Sequence, residues 1–190
     1  DQNIGRLGSV RDNPKIKPLE CIDCGLVFLS SQAHIQKDHY AESGMHNGEV
    51  PDIKSWLKET AFDDERRFQF MKEQITNKTV LDFGCGVGGF LDCAKLLASE
   101  VSGIELEQAL QTSFKERELN VFSSLQLAQE NERKWDLITA FHVVEHLSDP
   151  RKTLSDLSTL LNKEGQMIIE VPSANDVLLT LYNNQPFQNF

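Results

Sequence analysis

The segment Gly84-Cys85-Gly86-Val87-Gly88-Gly89 places four glycines in six residues, directly after the apolar run Val80-Leu81-Asp82-Phe83. Glycine is costly in ordered structure, so this density signals a backbone that something must approach closely. An apolar series at helical spacing follows (Phe90, Leu91, Ala94, Leu97, Ala98). A strand, a glycine turn and a helix start together form a cradle for a nucleotide or cofactor. Gly84-x-Gly86-x-x-Gly89 satisfies the dinucleotide pattern, and Glu105 lies 21 residues after Gly84. An acidic side chain there accepts hydrogen bonds from both ribose hydroxyls. Asp82 would repel a pyrophosphate and suits a ligand bearing an ammonium or sulfonium, and the turn holds no basic residue to help a phosphate. The glycine pattern by itself leaves both ligand classes open.

Two other groups carry chemistry. In Phe141-His142-Val143-Val144-Glu145-His146, an imidazole beside a reacting centre serves as a general base, because imidazole titrates near neutrality. His142 is the catalytic candidate and a cofactor or substrate contact. His142, Glu145 and His146 together offer a ligand set better suited to a transition metal than to magnesium. The plainer alternative is that Glu145 and His146 fix the loop leading to Asp149. Near the N-terminus, Cys21 and Cys24 are two thiols spaced to chelate one tetrahedral zinc, with Gly25 permitting the tight turn. His34 and His39 are further ligands that the spacing allows. The alternative is two unmetallated cysteines in a small turn.

The elements that must position these groups alternate. Strands are expected at 79–83, 100–104, 120–122 (weak), 135–141 and 166–171, with helices at 88–98 and 107–118. Asp149 as N-cap and Pro150 at the first helical position open another helix, which Asn162 and Gly165 end. Such alternation implies an α/β fold with a doubly wound, mostly parallel sheet, which binds ligands at the carboxyl ends of its strands. Upstream, residues 53–75 read as a helix broken near Phe62-Asp63-Asp64, and residues 1–20 as a loosely ordered arm. The expected organisation is an arm and Cys/His-containing cap over 1–50, a linking helix over 51–78, and a ligand-binding domain over 79–190.

Composition narrows the function classes. A net charge of −10 argues against a nucleic-acid groove, which needs clustered Lys and Arg. Glu65-Arg66-Arg67 and Arg151-Lys152 read as ordinary solvated helix surface. No apolar run approaches the ~18 residues of a membrane span, and no secretory signal is visible. Cys85 and Cys93 read as small buried residues in a reducing compartment, so a cytoplasmic location is expected.

Asp82-x-Gly84-x-Gly86-x-Gly88 followed by Gly103-Ile104-Glu105 resembles the class I S-adenosylmethionine-dependent methyltransferases. So do Trp135–Pro150, and Leu160–Gln166 leading to Ile168-Ile169-Glu170-Val171-Pro172. Order and spacing agree across roughly residues 66–175. The resemblance implies a Rossmann-like fold and S-adenosylmethionine as cofactor. Gly84, Cys85, Gly86 and Gly88 would let the backbone approach it, and Asp82 would shape the loop near its amino-acid end. Glu105 would clasp the ribose and Leu106 would flank the adenine. Phe141 and His142 would lie beside the sulfonium. Where relatives carry an Asp near the adenine, this chain has Ser123-Ser124-Leu125, so a Ser, Ser124 here, or a backbone contact would substitute. Cys-x₂-Cys-Gly-Leu-Val-Phe-Leu also resembles the amino-terminal part of certain bacterial methyltransferases. That likeness implies a small-molecule acceptor, with a sugar or sugar nucleotide as the specific expectation. The family's sheet normally continues beyond strand five, so missing C-terminal strands and an oligomer covering an open sheet edge are expected. A dinucleotide-binding oxidoreductase and a non-catalytic methyltransferase-like module remain the alternatives.

Overall fold

Val80 and Leu81, neighbours in one strand, serve opposite faces of a five-stranded parallel sheet, as do Leu137 and Ile138. Strands buried on both faces read as continuous apolar runs for this reason. The computed structural model describes residues 4–6, 16–31 and 52–173. It divides into two units, Asp1–Lys37 with Pro172–Phe190, and Asp38–Val171.

In the larger unit, α1 (Ile53–Phe70) and a short α2 (Lys72–Ile75) precede β4 (Thr79–Phe83). Then come α3 (Gly89–Ala94), β5 (Glu100–Ile104), α4 (Gln111–Glu116), β6 (Asn120–Phe122), α5 (Leu125–Glu130), β7 (Trp135–Phe141), α6 (Pro150–Ser158) and β8 (Leu161–Glu170). The strand order is β6-β5-β4-β7-β8, with every neighbouring pair parallel. After β6 the chain crosses to the other side of β4, so the order reverses between β4 and β7. A crevice opens at such a switch point. One face is packed by Phe68, Met71, Ile75, Phe90, Leu91 and Phe114. The other is packed by Ala128, Trp135, Leu157 and Leu160. The fold is therefore the expected α/β one.

Several element boundaries differ from expectation. α1 runs through Phe62-Asp63-Asp64 unbroken and ends at Met71, which leaves helical geometry (φ −106°, ψ 15°). Phe62 is 79% exposed and makes no demand on the core, whereas Met71 and Ile75 are buried. The chain re-aims where the core needs it. The expected helix at 107–118 starts as a 3₁₀ turn, Gln108–Leu110, capped by the Glu107 carboxylate accepting from Ala109 N at 3.1 Å. α5 lies where the sequence pattern places no helix; the Ser124 hydroxyl caps it by accepting from Leu127 N at 3.2 Å. Asp149 caps α6 as expected, accepting from Lys152 N at 2.9 Å. Asn162 and Gly165 do not end that helix. They lie in an irregularity within β8, where Trp135 pairs with Leu161 but Leu137 with Gln166. Asn162 is held there by donating to Asp136 at 2.8 Å.

The smaller unit contains an antiparallel sheet of β1 (Ile4–Arg6), β2 (Pro18–Cys21) and β3 (Val27–Leu29). Part of the expected loose arm thus supplies two strands of the cap.

Candidate cofactor and catalytic site

The turn after β4 is built against its neighbours. Gly84 has φ +72°, and a Cβ there would lie 2.5 Å from Val143 Cγ2, on the loop after β7. Only glycine satisfies both constraints. Gly84 N and Cys85 N donate to the Ile104 carbonyl at 2.8 and 3.1 Å, binding the turn to the end of β5. A Cβ on Gly88 would crowd Leu119, Arg117 and Phe114, and one on Gly103 would lie 2.7 Å from Cys85 Sγ. These glycines serve internal packing. Gly86 is different: among the described residues a Cβ there would meet only Trp56 Cζ2 of α1, at 3.7 Å, an ordinary contact. It is the least crowded glycine of the turn.

Glu105 sits beside Gly86. Its Oε2 accepts from Gly86 N at 2.8 Å and its Oε1 from Glu107 N at 2.9 Å. Each carboxylate oxygen has a second acceptor site, so two further donors can be taken. Burial pushes the Glu105 carboxyl up, partly opposed by those backbone bonds. Leu106 follows with an exposed side chain.

Asp82 lies deeper, 2% exposed, with Oδ1 accepting from Thr139 Oγ1 of β7 at 2.7 Å. Burial drives its pKa from 3.8 to about 7, against the Thr139 hydrogen bond. Its charge beneath the turn is therefore set by pH rather than constant. The Cys85 thiol is buried, and burial pushes it well up, away from the thiolate. Cys85 therefore offers its backbone. No basic residue is local to the turn, yet the fold brings one. Arg117, just beyond α4, donates to the Val87 carbonyl and pairs with Asp92. The Ser124 hydroxyl is engaged at its N-cap.

On the β7 side, Phe141 packs edge-on against Phe90, with centroids 4.9 Å apart. His142 adopts φ +54° and donates its backbone N–H to the Glu170 carbonyl at 2.9 Å. Its half-exposed imidazole has Nδ1 3.4 Å from Glu145 Oε1 and Nε2 3.2 Å from Glu170 Oε1. Arg66 Nη2 reaches both Glu170 oxygens at 3.0 Å. Arg67 donates to Oε1 from Nε at 3.0 Å and from Nη2 at 2.6 Å. Burial pushes the Glu170 carboxyl up, but the bonds from Arg67 and Arg66 outweigh it and leave it below its usual value. Arg67 also lies 4.6 Å over the Phe141 ring and is only 12% exposed. The expectation of plain solvated surface for Arg66-Arg67 is thus corrected, because α1 turns them onto the β8 end. A cavity of about 340 Å³ opens here, lined by Arg66, Arg67, Phe70, Phe141, Ile169 and Glu170 among others. The sequence reading assigns Glu170 no role of its own. The available signal was a lone charge closing the apolar run Met167-Ile168-Ile169.

In the smaller unit, Cys21 and Cys24 occupy the β2–β3 turn. Gly25, at φ +72°, donates its N–H to the Cys21 carbonyl at 2.7 Å. Backbone hydrogen bonds from Cys24 and Asp23 hold the Cys21 thiol below its usual value. His34 and His39 lie outside the described residues. Among the described residues no group of three or more His, Cys, Asp or Glu is arranged to hold a metal, His142, Glu145 and His146 included. Nor is any described helix long and apolar enough to cross a membrane.

Residues 52–190 match the family described as a methyltransferase domain. A ubiquinone biosynthesis O-methyltransferase of Coxiella burnetii (strain RSA 493 / Nine Mile phase I) is 23% identical over 118 residues, covering 57% of this chain and 50% of that protein. Its counterpart in Hydrogenovibrio crunogenus is 26% identical over 119 residues, covering 57% and 49%. The chain spans about half the length of these curated relatives. Among solved structures, the N-methyltransferase NodS of Bradyrhizobium japonicum WM9, in complex with S-adenosyl-L-homocysteine, gives a TM-score of 0.55 at 15% identity, covering 68% of this chain and 72% of that one. The plantazolicin methyltransferase BpumL, also with S-adenosylhomocysteine, gives 0.50 at 20% identity, covering 77% and 58%. At these identities the likeness is one of fold.

Proposed function

Because this chain belongs to the methyltransferase-domain family, we propose that it transfers a methyl group from S-adenosylmethionine to a small molecule. The observation that carries this reading is the contact of Glu105 with Gly86, the least crowded glycine of the turn among the described residues. Glu105 would accept the ribose hydroxyls with its two spare acceptor sites, Leu106 would flank the adenine, and Ser124 would border it. Gly84, Cys85, Gly86 and Gly88 would present backbone to the cofactor, with Asp82 supporting the turn from below and Phe141 walling the other side. When bound, S-adenosylmethionine supplies a methyl carbon made electrophilic by its sulfonium. His142 would take the proton from the acceptor, and the cavity beside Phe141 would hold the acceptor in line.

Within that class, the Cys-x₂-Cys hairpin supports a sugar or sugar nucleotide as acceptor, by likeness to cysteine-capped relatives. The lowered Cys21 thiol and its tight turn support a zinc contact through Cys21 and Cys24. Among the described strands β8 pairs on one side only, which supports an oligomer pairing there. The four free cysteines suit a reducing, cytoplasmic setting.

Titration calorimetry with S-adenosylhomocysteine and with NAD tests the cofactor reading. Saturable binding of S-adenosylhomocysteine supports it. NAD binding without S-adenosylhomocysteine binding overturns it. Labelled methyl transfer across sugars, sugar nucleotides and phenols then tests the acceptor.

A further inference from the structure

Resting on the methyltransferase reading, we propose that Glu170, at the end of β8, is a positioning residue for His142, and that Arg66 and Arg67 hold its carboxylate in place. Glu170 holds His142 twice. Its carbonyl accepts the His142 N–H at 2.9 Å, fixing a backbone at φ +54°, and its Oε1 lies 3.2 Å from His142 Nε2. A non-glycine residue in that left-handed region stays there only when its surroundings impose it. The pairing of Phe141 with Glu170 aligns the two strands so that both contacts are made at once.

The carboxylate is itself immobilised. Arg66 reaches both of its oxygens, and Arg67 binds Oε1 through two nitrogens. Planar guanidinium groups fix a carboxylate in direction as well as distance. Arg67 is anchored in turn over the Phe141 ring at 4.6 Å and lies 3.9 Å from Asp64. α1 therefore delivers two guanidinium groups to one carboxylate that faces one imidazole.

This arrangement constrains the chemistry. Glu145 stands 3.4 Å from Nδ1, so each imidazole nitrogen faces a carboxylate oxygen. A neutral imidazole holds one N–H and one lone pair, so with its N–H on Nε2, beside Glu170, Nδ1 is the nitrogen that takes the acceptor's proton. Arg66 and Arg67 keep the Glu170 carboxylate in place beside Nε2 before and after that transfer. A charge that only tied α1 to β8 would have no bearing on the imidazole.

The test is the His142 imidazole N–H signal in the nitrogen-15-labelled full chain, identified by its loss in His142→Gln. The wild type is expected to show a downfield, slowly exchanging Nε2–H. Glu170→Ala should abolish it. Glu170→Gln, which preserves the shape and carries the test if the alanine variant does not fold, should move it upfield. Absence of the Nε2–H signal in the wild type, or unchanged signals in the folded variants, overturns the proposal. Calorimetry on the same samples keeps the two readings apart. S-adenosylhomocysteine affinity within about two-fold of wild type is expected in both Glu170 variants. Failure of the wild type to bind removes the cofactor reading and leaves the His142–Glu170 result to be judged by its own signals.

Discussion

The Glu105 carboxylate accepts the Gly86 backbone N–H at 2.8 Å, joining the end of β5 to the middle of the glycine turn. The acidic residue thus shapes the turn as well as facing the space above it. Glu105→Ala should weaken S-adenosylhomocysteine binding by ~1–3 kcal/mol, the scale of charge-assisted hydrogen bonds. Calorimetry checks this, and unchanged affinity would remove Glu105 from the site.

Gly84→Ala combines a forced φ of +72° with a contact of 2.5 Å to Val143. We expect a stability loss of roughly 2–4 kcal/mol, read by urea denaturation. Adding Val143→Ala should recover the steric part and leave the backbone part. A Gly84→Ala protein as stable as wild type would mean that the turn and the post-β7 loop do not meet.

Asp82 gives stability a pH dependence of defined sign. Its folded pKa of about 7 lies above the ordinary carboxyl value of 3.8. Between these values the folded state holds more protons than the unfolded one, so its contribution to stability falls as pH rises through this window. Below the window the term vanishes, and above pH 7 the full penalty remains. Asp82→Asn keeps an oxygen for the Thr139 hydroxyl and removes the charge. Its stability relative to wild type should be near zero at pH 4 and rise by up to roughly 4 kcal/mol by pH 8. Denaturation at both pH values decides it; a flat difference between the two proteins would refute a buried, late-ionising Asp82.

Arg117 secures the turn from outside through the Val87 carbonyl and Asp92. Arg117→Met keeps the packing stem and removes both bonds. Stability should drop by about 1–3 kcal/mol, because a half-buried charged pair is broken and a carbonyl is left without its donor. Hydrogen exchange at Val87 and Gly88 should accelerate together. Exchange that stays at the wild-type rate would assign Arg117 to the surface alone.

Metal content tests the hairpin of the smaller unit. Stoichiometric zinc in the purified chain, lost in Cys21→Ser, is the expected outcome for a knuckle. Zinc-free protein with both thiols titratable would leave Cys21 and Cys24 as an unmetallated turn.

Much of this was legible in the chain because the signals are local. Strand runs at 79–83, 100–104, 120–122 and 135–141 carry their own bounds in composition, and Asp149-Pro150 marks a helix start by capping chemistry. Boundaries failed where packing overrode local pattern. Phe62 stays in solvent and Met71 turns inward, so the helix breaks at the core rather than at the acidic pair. β8 begins at Leu161 because Trp135 and Asp136 offer it partners, which no window of the sequence reveals.

By itself the sequence determined the α/β class, the glycine turn, and the acidic residue at the end of the next strand. These depend on backbone propensity and on spacing along a chain. Only the tertiary structure decided that Gly86 is the least crowded glycine of the turn, that Asp82 is buried against Thr139, and that Arg66 and Arg67 converge on Glu170 beside His142. Those residues lie as many as 104 positions apart. Desolvation and charge pairing act through space, so the pKa of Asp82 and the surroundings of His142 exist only once the strands are in register.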